Sequence, residues 1–179
     1  MQFEIDNFLM KLKEDQTGIL LSFNIWANRR LTDQIKSLSQ EEFTRETGGS
    51  FPSLRLTLIH LLESDWLWLN RWQGKPLVLP PENWDTQTPI SISEIWLGIQ
   101  EQIEETFESK AEGAMQQVIH FVTKAGAALE MPYWQTVSHM VNHATYHRGQ
   151  MANMIRMMGH KPVATDLFLF YIEENGRPE

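Results

Sequence analysis

The sequence predicts a mainly all-α protein, a four-helix bundle with a small β-hairpin before its last long helix. Three observations predict it. Apolar residues recur at helical spacing through four long segments, Gly and Pro gather between those segments, and one short stretch switches to β-rich residues bounded by a turn signal. At 179 residues the chain fits a single domain spanning 1–179 and is long enough to bury a real core.

Residues 5–37 carry the first helical pattern: Ile5, Phe8, Leu9 and Leu12, then Ile19, Leu20, Phe23, Trp26, Ala27, Leu31 and Ile35. Gly18 is expected to divide or kink it. SLSQEEFTRETGGSFP is polar and Gly-rich and reads as a loop. Ser53 is a good N-cap for a second helix to about Arg71, with Leu54, Leu58, Leu61, Leu62 and Leu69 among its apolar residues. QGKPLVLPPENWDTQTP, with four prolines, is a long connection. Ser91 to Glu94 is a capping-box pattern that opens a third helix to about Ser109.

Between Gln116 and Met131 the pattern changes. QQVIHFVT is β-rich, KAG is a turn signal, and AALEM returns as a short strand. Pro132 stands before, or at the start of, a last long helix from about Tyr133 to Met158. Gly159 ends that helix and Pro162 follows. The tail DLFLFYIEENG reads either as a short helix or as an extended packing segment.

Composition excludes several functions. A formal net charge of −8 argues against nucleic acid or an anionic membrane as the main partner, since both reward basic surfaces. The absence of cysteine removes disulfides, thiolate metal sites and a cysteine nucleophile, so any thiol chemistry needs a thiol from outside the chain. MQFEIDNFLM is acidic rather than basic-then-apolar, which is not a signal-peptide pattern, and no apolar run approaches the roughly 18 residues of a membrane span. A cytoplasmic location is the expectation.

Chemistry gathers in HMVNHATYHRGQ, residues 139–150, where three of the six histidines stand four apart. They line one helix face either as a consequence of packing or because some of them hold a metal. Helical residues four apart lie about 40° apart around the axis and about 6 Å along it, so two such imidazoles can converge on one ion. His139 and His147 are roughly 12 Å apart in helix rise, too far to share it. One adjacent pair chelates, and the third ligand comes from another helix. His60, in the apolar stretch LIHLLESDWLWLNRW, is the donor the sequence offers, although a lone histidine on an apolar face is more often a satisfied core residue. Three neutral imidazoles with an open position make a catalytic type of site. Glu63, three residues after His60, is a candidate ligand or supporting carboxylate, and an ordinary solvated one on the bland reading. His120 and His160 read as surface or structural residues. Trp66, Met140, Met151 and Met154 read as core.

The same residues carry a resemblance. His143, His147, Arg148, Gly149 and Gln150 match the His-x-x-x-His-Arg-Gly-Gln signature of the DinB-like (DinB/YfiT-like) metalloprotein superfamily, with His139 and Asn142 similar as well. FNIWANRRL resembles the family's first-helix signature, and LTLIHLLESDWLWLNR the second, with His60 in the metal-binding place. MIRMMGHKP followed by ATDLFLFY resembles the family's ending. The resemblance implies a four-helix bundle of DinB/YfiT type, often a homodimer, holding a divalent ion, commonly nickel or zinc, on His60, His143 and His147. It therefore selects His143/His147 as the chelating pair, with His139 supporting.

The remaining signature residues have physical readings. Arg148 points about 100° away from its ligand neighbour, which favours a salt bridge or packing contact over catalysis. Gly149 costs roughly 1 kcal/mol against Ala in a helix, and a close helix–helix approach is the simplest compensation. Gln150 is placed to hydrogen-bond across the bundle. Relatives in the superfamily imply a thiol S-transferase or isomerase that uses a low-molecular-weight thiol as cosubstrate on a small-molecule substrate. Glu63 and His139 are candidates for a general base. The alternatives are a metal-dependent hydrolase, of which the absence of HExxH disfavours the peptidase form, and a non-catalytic, stress-associated metal-binding protein.

Overall fold

The structure, a computed structural model, describes residues 2–75 and 77–176, with side chains from residue 16 onward. Ile5, Phe8, Leu9 and Leu12, part of the first predicted apolar stripe, lie outside the described side chains. Among the described residues the elements are α1 (Gln2–Lys36), α2 (Gln40–Thr44), α3 (Leu54–Trp72), α4 (Pro89–Glu108), a 3₁₀ turn (Ala114–Gln116), β1 (Val118–Val122), β2 (Ala128–Pro132), α5 (Tyr133–Met157) and α6 (Leu167–Asn175). The expected mainly helical bundle with one hairpin is what forms.

Helices α1, α4, α3 and α5 ring a common core in that order. Cross-contacts fix their directions. Gly18 meets Phe107 while Asn28 meets Gln100, so α1 and α4 are antiparallel. Asp65 meets Trp96 and Gln100 while Gln73 meets Thr106, so α3 and α4 are parallel neighbours. Trp72 meets Thr136 while Thr57 meets Met154, so α3 and α5 are antiparallel. Parallel neighbours need a connection that returns along the whole bundle, which accounts for the long proline-rich segment after Trp72. Arg55 Nε donates to Thr86 O (2.8 Å) and Trp66 Nε1 to Leu79 O (3.1 Å), holding that segment against α3.

Several boundaries differ from expectation for identifiable reasons. Gly18 does not divide the first segment into two helices, because tertiary packing overrides its low propensity. Its missing side chain faces the Phe107 ring, 3.6 Å from where a Cβ would stand. The loop after α1 contains α2, nucleated by a capping box in which Ser39 accepts from Glu42 N and Glu42 reaches back to Ser39 N. Helix α4 begins three residues before the predicted Ser91 box. Thr88 caps it, Pro89 occupies its first turn, and Ser91 is the reciprocating residue.

Ser53 caps α3 as expected, its Oγ accepting from Leu56 N at 3.3 Å. The hairpin forms where the β-rich run predicts it, in a register that sets His120 opposite Glu130. Pro132 closes β2 and stands just ahead of α5. Gly159 ends α5 in the left-handed region (φ 88°), with His160 N bonded to Ile155 O and Gly159 N to Arg156 O. The tail resolves as the helix α6. Met140, Met151 and Met154 are core, whereas Trp66 is half-buried against Trp84. No helix among the described residues is long and apolar enough to cross a membrane.

Candidate metal centre

His60 projects from α3 and His143 and His147 from α5, one helical turn apart. Antiparallel packing of these helices brings a ring nitrogen of each within 4.8 Å of the others. His143 Nε2 lies 2.9 Å from His60 Nε2 and 3.1 Å from His147 Nε2. Two nitrogens about 2.0–2.1 Å from one ion stand about 2.9 Å apart at a right angle and about 3.4 Å apart at the tetrahedral angle. The observed spacings fall in that range.

The donor chemistry also fits a cation. Burial, then the neighbouring His147 and His60, hold the His143 ring down to about 4, and burial likewise lowers His60. Both rings are therefore neutral at neutral pH. His147 Nδ1 and Gln150 Oε1 are 2.8 Å apart. An amide oxygen only accepts, so Nδ1 carries the proton and Nε2 presents a lone pair to the other two rings. Three such nitrogens facing one another have fewer protons than contacts, and a bound cation satisfies them together. Gln150 thus acts along its own helix, not across the bundle as the spacing suggested.

Aromatic rings wall the centre. Phe51 stacks on His60 (centroids 4.4 Å) and meets His147 edge-on (5.6 Å), while Tyr146 packs against His147 at 5.1 Å. Phe51 was illegible in the sequence, because nothing in a Gly-rich loop says which ring folds back. His139 is exposed and stacks 6.0 Å from His143, outside the three-histidine group. Glu63 is taken by Lys124 at the hairpin tip, 2.7 Å away, and both charges act on His60. His120 and His160 pair with Glu130 (3.3 Å) and Glu42 (2.6 Å) on the surface.

Arg148, next to the ligand candidate His147, turns into the bundle and is 2% exposed. Instead of a salt bridge it makes hydrogen bonds: Nη1 donates to Asn24 Oδ1 (2.6 Å) and Asn28 Oδ1 (2.8 Å), Nη2 to Thr145 Oγ1 (2.7 Å). Asn28 Nδ2 then donates to Gln100 Oε1 (3.0 Å). Gln100 Nε2 (2.7 Å) and Trp96 Nε1 (2.8 Å) both donate to Asp65 Oδ2. This network joins α1, α3, α4 and α5. Burial pushes Asp65 up to about 6 and Arg148 down to about 10, each partly offset by the other's charge. Gly149 meets no close helix: nothing lies within 4 Å of where its Cβ would stand, and it lines an open groove beside Leu20 and Val141.

Comparison with known proteins gives concordant results. The DinB family profile matches residues 10–177. Over 160 residues the chain is 27% identical to Protein DinB of Bacillus subtilis (strain 168), covering 84% of this chain and 92% of that protein. A crystal structure of a DinB-like protein from Bacillus cereus ATCC 10987 superposes with a TM-score of 0.62 at 16% identity, over 77% of this chain and 89% of that one. That likeness is one of fold.

Proposed function

This chain belongs to the DinB family, and from that premise we propose that it is a divalent-metal protein acting as a thiol S-transferase or isomerase. His60, His143 and His147 hold the ion, nickel or zinc as the family resemblance implies, both being metals that imidazole donors suit. The observation that carries the reading is the convergence of three imidazole nitrogens from two helices, with Gln150 fixing the tautomer of one.

A bound divalent ion supplies Lewis acidity that lowers the pKa of a thiol, so that sulfur attacks an electrophile as thiolate near neutral pH. The chain's own residues set the conditions. Its three nitrogens leave coordination positions for a ligand, since Glu63 is engaged by Lys124 and no further His, Asp or Glu joins the group among the described residues. Phe51 covers the His60 and His147 rings on one side, and the exposed His139 marks the side from which a small molecule enters. A chain without cysteine takes its sulfur from a cosubstrate.

The test is metal analysis of untagged protein purified without a metal column, beside His60→Ala and His143→Ala. The expected result is about one divalent ion per chain, lost in both variants, with thiol-transfer activity in the loaded parent. A folded parent that takes up no ion even when divalent metals are added overturns the reading. A loaded parent that binds no thiol leaves a non-catalytic metal protein.

A further inference from the structure

Among the described residues the bundle buries two arginines, and only one has a carboxylate acting on it. Arg148 uses both terminal nitrogens on three side-chain oxygens and feels the charge of Asp65. Arg71, in the last turn of α3, is 8% exposed and has no carboxylate partner among the described residues. Its hydrogen bond goes from Nη2 to Val122 O in the hairpin (3.2 Å). Nε is buried without a partner. A buried cation without a counter-charge is costly, and among the described residues only two ring faces and one carbonyl offset it.

Its position says what could. The guanidinium lies against the rings of Trp68 (4.5 Å) and Phe121 (4.7 Å), so its plane is held. Trp68 meets His139 at 5.6 Å, and His139 stacks on His143. Arg71 is therefore linked to the three-histidine centre by a short relay of rings, on the side where His139 is exposed. A planar, pre-oriented fork of this kind recognises a carboxylate.

We propose that Arg71 is the anion anchor of the metal centre: the thiol substrate carries a carboxylate that seats on the Arg71 guanidinium while its sulfur reaches the histidine-held ion. The inference rests on the thiol reading above and adds the substrate's charge and length. Bulk attraction to a divalent centre favours any nearby anion and is strongest for short ones. A remote anchor favours only a thiol long enough to span the rings.

The experiment titrates cobalt(II)-loaded protein with ω-mercapto acids of increasing chain length and with their methyl esters, following the sulfur-to-cobalt absorption band. In the parent, the acid-over-ester ratio should rise with chain length, to about tenfold or more at the length that reaches Arg71, whereas direct attraction to the ion makes it fall with length. Arg71→Met should bring the long-chain ratio to near one, and Arg71→Lys should keep part of it. Equal affinities for acid and ester at every length, or a preference undiminished in folded Arg71→Met, overturn the anchor and leave the thiol reading standing. If Arg71→Met does not fold, the length series in the parent and the Arg71→Lys ratio decide. No absorption change with any thiol overturns the thiol reading and the anchor with it.

Discussion

Replacing Arg148 by Met tests whether the buried network, rather than the apolar core alone, holds the four helices in place. The substitution keeps much of the side-chain volume and removes three hydrogen bonds, leaving Asn24 Oδ1 and Asn28 Oδ1 without their donor. It also leaves the fully buried Asp65 without its cation. Removing one partner from a buried charged set costs about 3–5 kcal/mol, which for a chain of this size lowers Tm by about 6–20 °C. The pH dependence is more specific. Asp65 is raised from 3.8 to about 6, so its protonated form is the one the fold favours. Its contribution is full below about pH 4 and is lost as pH rises to about 6, a change of about 3 kcal/mol. Without Arg148 that loss extends to higher pH. The cost of Arg148→Met, from urea denaturation of metal-free protein, should therefore be smaller at pH 4.5 than at pH 7.5, and Asp65→Asn in the same background should recover part of it. A cost under about 1 kcal/mol, or one independent of pH and additive with Asp65→Asn, would refute the reasoning.

Two further outcomes follow from the site and its surroundings. Gln150→Ala removes the acceptor that fixes the His147 tautomer, so metal affinity measured against a chelator should fall about 10- to 100-fold while denaturation of the metal-free protein changes little. Glu42 is held down to about 2 by His160 and by the Ser39 cap, so its contribution is present above about pH 4.5 and lost as pH falls toward 2. Glu42→Gln should flatten the acid limb of the stability curve, measured by thermal melts between those pH values.

Legibility in the sequence followed the range of the interaction. Four long helices and the hairpin were readable because periodicity and turn residues act within a few positions. His60 with His143 and His147 was readable because helical spacing and the family signature reinforce each other. Ser39 and Glu42 carry a capping box in the sequence, which the polar, Gly-rich segment around them masks. Phe51 and Arg71 were not readable. What each does depends on a loop or hairpin folding back over α3, and no local pattern encodes that. Gly149 misled for a related reason. Its cost in the helix suggests a close neighbour, but the position faces an open groove, and the structure offers no account of the glycine.

The network and the centre meet at adjacent residues of α5, and that adjacency has a mechanical meaning. His147 faces His60 of α3 while Arg148, about 100° around the axis, is fastened to α1. Arg148 therefore sets the rotation of α5 about its own axis. Ring nitrogens sit about 6 Å from that axis, so a turn of 10° displaces them by about 1 Å, half of a metal–nitrogen bond. Arg148→Met should then weaken metal binding in the folded protein although Arg148 touches none of the donors. Gln150→Ala should weaken it too, but with stability kept. Calorimetric titration of both variants at a temperature where each is folded separates the two causes. Unchanged affinity in Arg148→Met would mean that packing against α3 alone orients the ligands, and that the arginine belongs to the bundle and not to its centre.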